Sequence, residues 1–402
     1  MKKLINIDLL PNFERDDEEL IEKILKGYED LRAQREVELE LRKYFPQGEI
    51  LFFSSAREAL TFFLSILKKI DNRQEVLTQA FSCLVVPNAI KFANLRPVFV
   101  DIGDDFNFDL EDLKSKVGYN SLALIIQNTF GIPAKLEEIL RLAKEKNIFV
   151  IENLTHALGA RYEGNYLGNF GDATLLSFNR NKVISSIIGG ALIIRNDFLK
   201  KDCLENYKSL NEWSDWEVKR LLLGTKILLK LKKYYHLKVT KGAIRFLRFL
   251  EITPEMVTSE EKQGIKPKNY LRKFPDKLFP LLLNQLKKLE KFNNQRKKIA
   301  QIYINSNLLN FSFQGEPNFL RFPVFSQLRK EILEDFKKDN IYLGDWYRCV
   351  LAPCSNNLKI FDYQEKSCPQ AEKISQTVFN LPTLISEEEA YLVLEKLKKW
   401  LK

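Results

Sequence analysis

Histidine is scarce in this sequence: His156 and His236 are the only two among 402 residues. That scarcity removes most metal sites and leaves few ways to build a Ser–His or Cys–His nucleophile. The five cysteines (Cys83, Cys203, Cys349, Cys354 and Cys368) are odd in number and scattered, a pattern that reads as reduced thiols rather than a disulfide framework. Cys349 and Cys354 lie five apart, but no second Cys or His pair completes a zinc set, so no metal is expected. The chemistry must lean on lysine or on a cofactor. Open α/β sheets bind ligands beyond the carboxyl ends of their strands, so the residues to weigh are those that follow short apolar runs. Three such stretches form a series. The first is Glu152-Asn153-Leu154-Thr155-His156-Ala157-Leu158-Gly159-Ala160. After a turn rich in glycine (Gly164, Gly168, Gly171) comes Asp172-Ala173-Thr174-Leu175-Leu176-Ser177-Phe178. Then Asn179-Arg180-Asn181-Lys182-Val183-Ile184 leads to Gly189-Gly190 and another apolar run.

Elements that could position these residues are legible as a rhythm. Apolar runs at Arg96–Val100, Leu122–Ile126, Ile148–Ile151, Ala173–Phe178 and Ala191–Ile194 are continuous rather than alternating, the signature of strands buried on both faces. Helical patterns such as Lys135–Lys146 lie between them, so an α/β domain with a mostly parallel sheet is expected. Leu20, Ile21, Ile24, Leu25 and Tyr28 predict an amphipathic helix within 16–46, and a second helix should start near Ser55. The chain divides into a large N-terminal domain over 1–250, a polar, proline-bearing linker over 251–275, and 276–402. The last part opens with a long charged helix, Leu278 to Ile304, and continues as a smaller α+β domain.

Hydrophobic residues make up 45% and charged residues 29%, the mix of a water-soluble globular protein. The opening Met1-Lys2-Lys3-Leu4-Ile5-Asn6-Ile7-Asp8 lacks a sustained apolar core and is not a signal peptide. No apolar run approaches the roughly 18–20 residues of a membrane span. A cytoplasmic protein is expected. The net charge of +10 is matched by one segment, because Val218–Leu250 holds ten Lys or Arg and no acid. A nucleic-acid partner is therefore not expected. Within this basic amphipathic insertion, about 213–250, Lys219, Lys226, Lys230 and Lys233 share a helical face, with Leu221, Leu222, Leu228 and Leu229 on others. It reads as a solvated or dimer-covering helix, or as a contact with an anionic membrane surface through 218–250.

Taken in order, the motifs resemble those of the DegT/DnrJ/StrS family of sugar aminotransferases. That family reads roughly E-D-x-A-[QH]-x-x-G, then G-D-x-x-x-x-S-F, three residues, K, and a later G-G. Ser55-Ala56-Arg57-Glu58-Ala59-Leu60 is similar to its S-G-[TR]-x-A-L helix start, and Pro97-Val98-Phe99-Val100-Asp101 and Phe130-Gly131-Ile132-Pro133 also fit. Cys368-Pro369-Gln370-Ala371-Glu372 and Leu381-Pro382 stand where the family has C-P-x-A-E and L-P.

The resemblance implies a fold-type-I enzyme that uses pyridoxal 5′-phosphate (PLP). Lys182 would hold the cofactor as a Schiff base and then act as acid and base in the 1,3-proton shift. The phosphate would fall to the Ala56 and Arg57 amides at a helix start and to the Ser177 hydroxyl. His156 takes the position that bonds the 3′-oxygen. The family's aspartate at the pyridine nitrogen is Asn153 here, and a neutral amide cannot raise that nitrogen's pKa, so a weaker electron sink is implied. Cys83 stands at the ring-stacking position, commonly aromatic, where a soft thiol can lie over the ring. Ile188 replaces an acidic residue, and nothing is carried over onto Asn269-Tyr270. Each position also has a plain structural reading: a solvated lysine, an N-capping Ser55, a satisfied core histidine. The S-F-x3-K-x6-G-G frame favours the functional one for Lys182.

The implied activity is transfer of an amino group, from glutamate, to a keto sugar that is nucleotide-linked, in a homodimer, for cell-surface polysaccharide or secondary-metabolite synthesis. Arg180 is a candidate for a substrate carboxylate or phosphate. Two alternatives stay open: a PLP-dependent sugar dehydratase, which the presence of the lysine disfavours, and a non-enzymatic PLP- or sugar-nucleotide-binding homologue, which Asn153 keeps open. A nicotinamide enzyme fails for want of a G-x-G-x-x-G after a strand.

Overall fold

A computed structural model describes residues 4–232, 234–235, 237–249, 255–309 and 311–400. At its centre is a seven-stranded sheet: β1 (Glu49–Phe53), β2 (Glu75–Gln79), β3 (Arg96–Val100), β4 (Ser121–Ile126), β5 (Phe149–Asn153), β6 (Ala173–Ser177) and β7 (Gly190–Ile194). The spatial order is β1-β7-β6-β5-β4-β2-β3. Every neighbouring pair is parallel except those made by β7, which runs antiparallel to both β6 and β1. All residues of β4 and β6 are buried, as strands covered on both faces require. The five expected runs are thus β3 to β7. β2 was missed because only Val76 and Leu77 are apolar, while Thr78 and Gln79 are buried polar residues. β1 was missed because its Phe52-Phe53 ends two residues before the apolar helix that follows.

The amphipathic segment expected over 16–46 is two helices, α1 (Arg15–Leu25) and α2 (Ala33–Arg42), and the chain turns at Gly27 with φ +98°. Helix α3 (Ala56–Ile70) starts where Ser55 predicts. In the basic insertion, α4 (Asp215–Lys232) buries Val218, Leu221, Leu222, Leu228 and Leu229, and Lys226 pairs with Glu22 of α1 at 2.8 Å. One of the four lysines sharing that face is therefore in a surface ion pair with α1. Lys233, of the same face, and His236 lie outside the described residues. Helix α5 (Lys238–Phe249) follows. No helix among the described residues is long and apolar enough to cross a membrane.

The helix expected from Leu278 to Ile304 is broken into α6 (Phe279–Leu286) and α7 (Leu289–Asn305), with a non-helical step at Lys288 (φ −97°, ψ −4°). The break lets α7 serve two cores: Leu289 and Phe292 join the large-domain core, while Ile299, Ala300 and Tyr303 join that of the C-terminal domain. The C-terminal domain is an antiparallel pair, β8 (Phe322–Phe325) and β9 (Val378–Leu381), with helices over Arg329–Lys338, Pro369–Thr377 and Glu387–Lys398.

One cysteine expectation is overturned. Cys349 and Cys354 form a disulfide, with Cα atoms 5.7 Å apart, whereas Cys83, Cys203 and Cys368 are free. The physical reason is local. The chain between the two folds into a short strand, Leu351–Ala352, that pairs with Ser82–Cys83 and returns the second thiol to within bridging range of the first.

Candidate active site

Strands β5 and β6 end side by side, and period-two alternation decides which side chains reach the sheet's carboxyl edge. Glu152 turns away from it. Its buried carboxylate accepts the Gly168, Phe170 and Gly171 N–H groups at 2.7, 2.7 and 2.8 Å and shapes the glycine turn. Asn153 turns toward it, as does Ser177 at the end of β6. A cavity of about 460 Å3 opens there. Ala56, Arg57, Cys83, Asn153, Ser177 and Lys182 all lie on its wall, so six positions scattered from 56 to 182 are brought together.

The start of α3 forms part of the same wall. A Cβ on Gly190 would lie 2.4 Å from the Ala56 nitrogen, so the paired glycines allow β7 to run against the helix N-terminus. Ser55 caps α3, accepting from the Glu58 N–H at 3.4 Å and donating its hydroxyl to the Glu58 carboxylate at 2.9 Å. The Ser55 hydroxyl is thus committed. The Arg57 guanidinium is committed too, to Glu261 at 2.7 Å and the Met256 carbonyl at 2.7 Å. The Ala56 and Arg57 amides at the positive end of the helix, with the Ser177 hydroxyl, are what α3 and β6 offer an anion.

Lys182 sits in a turn closed by its own N–H to the Asn179 carbonyl at 3.1 Å. Burial pulls its ammonium pKa down to about 8; the Cys83 sulfur opposes that shift, and Arg321 and Arg57 add to it. A cation with a depressed pKa supplies free amine near neutral pH. Its backbone is pinned from the N-terminal segment. Asn12 Nδ2 donates to the Lys182 carbonyl at 2.9 Å and to that of Val183 at 2.8 Å. Gln285 continues the clamp, accepting the Ser185 N–H at 3.1 Å and donating to the Asn12 carbonyl at 3.2 Å.

The orientation of Asn153 is fixed by a neighbour that can only donate. The Thr155 backbone N–H reaches Asn153 Oδ1 at 3.1 Å, which turns the oxygen toward the backbone, and the NH2 group is the donor end of the amide. A donor there complements an unprotonated ring nitrogen.

The resemblance puts His156 against a cofactor oxygen, and the structure sets it off the cavity wall. Its ring stacks on Trp346 at 5.2 Å between centroids. Nδ1 accepts the Phe130 N–H at 3.3 Å, and Nε2 faces the Tyr347 hydroxyl at 3.3 Å. Burial, reinforced by Lys182 and Arg321, holds its pKa well below the usual value, so the ring is neutral and Nε2 carries the proton that Tyr347 accepts. Burial likewise keeps the Tyr347 phenol protonated, and it is Tyr347 that reaches the cavity wall.

Trp346 and Tyr347, on the cavity wall, and Arg321, against the Trp346 ring, are residues of the site that the sequence does not reveal. Trp346 lies 4.8 Å below Lys182 Nζ and 3.4 Å from the Arg321 guanidinium carbon. They arrive from the C-terminal domain without a local pattern, and an adjacent Trp–Tyr pair beside Gly344 was the available signal. Arg180, also on the wall, is where the candidate for an anionic substrate group was expected.

A mostly parallel sheet that delivers a low-pKa lysine to its carboxyl edge, facing a helix N-terminus, is the layout of the fold-type-I transferases. Within that class the chain belongs to the DegT/DnrJ/EryC1/StrS aminotransferase family, whose sequence profile matches residues 13–227 and 274–398; members of this family depend on PLP. It is similar to the UDP-4-amino-4,6-dideoxy-N-acetyl-beta-L-altrosamine transaminase of Campylobacter jejuni, 26% identical over 81% of this chain and 80% of that protein. It is also similar to the GDP-perosamine synthase of Escherichia coli O157:H7, 33% identical over 34% of this chain and 37% of that protein. The solved structure of Helicobacter pylori PseC, an aminotransferase of pseudoaminic acid biosynthesis, superposes with a TM-score of 0.74 at 18% identity, covering 99% of both chains.

Two outcomes are expected from this geometry. Acylation of Lys182, followed by peptide mapping against pH, should reach half its limiting rate near pH 8; a midpoint near the ordinary lysine value would contradict the buried setting. Asn12→Ala leaves the buried Lys182 carbonyl without its donor, at a cost of about 1–3 kcal/mol, read as a lower urea midpoint at unchanged slope.

Proposed function

We propose that this aminotransferase moves an amino group from glutamate to a keto sugar carried on a nucleotide, with PLP bound in the cavity beside Lys182. The observation that carries the reading is the sharing of one wall by Lys182, Ser177, Asn153 and the first amides of α3. These residues fit the cofactor by their chemistry. Two backbone amides at a helix N-terminus and a hydroxyl suit a phosphate, a neutral-prone amine suits a carbonyl, and an amide donor suits a ring nitrogen.

When bound, PLP supplies the carbonyl that takes up the amino group and the conjugated ring that disperses charge. The chain's own residues do the rest. The Ala56 and Arg57 amides and Ser177 orient the phosphate end. Lys182 Nζ, with its pKa near 8, takes a proton from one carbon of the bound reactants and returns it to the next. Asn153 Nδ2 donates to the ring nitrogen and leaves it uncharged, so charge dispersal is weaker than a carboxylate would allow. Cys83, whose thiol burial keeps protonated, offers a polarizable contact to the ring. Tyr347, held by neutral His156, presents a phenolic proton to an oxygen in the cavity. Arg180 is assigned to an anionic group of the substrate.

A second reading is favoured by Asn153: a protein that binds the cofactor or a sugar nucleotide without turning it over. Borohydride reduction of PLP-treated protein should label the Lys182 peptide, and an unlabelled Lys182 would sink the enzyme reading. Glutamate should then convert the unreduced form, seen as a change in cofactor absorbance; no conversion supports the second reading. Asn153→Asp is expected to speed that conversion about tenfold or more, the effect of about 1.4 kcal/mol on the barrier.

The proposal includes a cytoplasmic homodimer with small-molecule substrates. It also includes peripheral contact of 218–250 with anionic membrane, supported by exposed Leu223, Val239 and Phe246 beside the basic residues. Light scattering should give twice the chain mass, and vesicles rich in anionic lipid should sediment the protein at low salt but not at high salt.

A further inference from the structure

A second cavity, of about 170 Å3, is walled by the N-terminal segment, by α7 and by the start of β8. Asn181, next to the active lysine, lies on the walls of both cavities. Three cations line the second one: Arg296, Arg321 and Lys232. Arg296 is 1% exposed, and its partners are all neutral. It donates to Asn293 Oδ1 at 3.1 Å, Asn12 Oδ1 at 3.3 Å and the Val183 carbonyl at 2.9 Å, while its buried Nε meets no acceptor among the described residues. Burial with no opposing carboxylate pulls even this guanidinium down to about 9. Arg321, also 1% exposed, is paired with Asp8, yet its Nη1 is buried without an acceptor. Lys232 Nζ donates to the Leu10 carbonyl at 2.9 Å. The carboxylate on this wall is Glu389, whose oxygen accepts the Ser386 N–H at 2.8 Å as a helix cap.

A buried guanidinium without a carboxylate is costly, and two N–H donors without an acceptor, Arg296 Nε and Arg321 Nη1, suit the oxygens of an oxyanion. We propose that the second cavity binds a small phosphate-like oxyanion, held by Arg296 and Arg321 with Lys232 closing the side. The Asn181 Oδ1, buried without a donor, accepts the hydroxyl that hydrogenphosphate retains. The site is tied to the chemistry through Arg296, whose Nη2 holds the carbonyl of the residue after Lys182. Occupancy therefore bears on the lysine turn, and the site does not depend on which cofactor fills the first cavity.

The test is thermal melting of the full chain saturated with PLP, so that the first cavity's phosphate cradle is filled, at pH 7 and fixed ionic strength, with chloride replaced stepwise by inorganic phosphate. The melting temperature should rise and saturate with phosphate. Arg296→Met should abolish the rise. Lys232→Met should weaken the apparent affinity at least tenfold, and it carries the test if Arg296→Met fails to fold. Ser177→Ala, on the first cavity, should keep the rise. A wild type without a saturable rise, an undiminished rise in either cavity variant, or its loss in Ser177→Ala would overturn the proposal.

Discussion

The carbonyl of Lys182 accepts a hydrogen bond from Asn12, and much of the site depends on that contact. A lysine on a turn between β6 and β7 has a long, flexible side chain, and its amine can be placed only if the turn itself is fixed. Asn12 bonds two successive carbonyls, Arg296 shares the second, and Gln285 holds both the Asn12 carbonyl and the Ser185 amide. The partners come from the segment before α1, from α6 and from α7, so three distant parts of the chain converge on Lys182, Val183 and Ser185. Such a buried polar cluster is costly unless fully connected, and its connection is what makes the turn rigid.

Rigidity also sets the electrostatics. With the turn fixed, the ammonium of Lys182 lies in a poorly hydrated pocket beside two guanidinium groups, Arg321 and Arg57, and loses its proton readily. Burial, with Lys182 and Arg321 adding to it, keeps His156 neutral, and a neutral histidine with Nδ1 bonded to a backbone N–H has a single tautomer. Tyr347 then has one hydrogen-bond partner and one free proton. The protonation states of all three groups trace first to burial; nearby positive charge adds to the shift at Lys182 and His156 and opposes it at Tyr347.

How much of this was legible depended on where the residues lie in the chain. Lys182, Ser177, Asn153 and the start of α3 sit at strand and helix ends inside short motifs, so the resemblance to the family's motifs points to them. Cys83 was legible by the same route. Trp346, Tyr347 and Arg321 were not, because they reach the site through packing of the C-terminal domain, to which local pattern is blind. His156 shows the limit of a motif. Its place at the end of β5 follows from sequence, but Trp346 and Tyr347 decide what its ring touches. The Cys349–Cys354 bridge was hidden for a related reason, since it depends on a strand of two residues that pairs across the domains.

The family profile is silent over 228–273, and the structure gives that interval a role. Leu228, Met256, Val257 and Lys262 stand on the wall of the first cavity, and Lys232 on that of the second. Glu261 holds the Arg57 guanidinium at the mouth, its own backbone carbonyl accepts from Asn88, and the Arg272 amide donates to Glu58 at the first turn of α3. The lysine, the hydroxyl and the helix start come from matched sequence, while this strap across the mouth comes from unmatched sequence. Chemistry and enclosure are therefore contributed by separable stretches of chain.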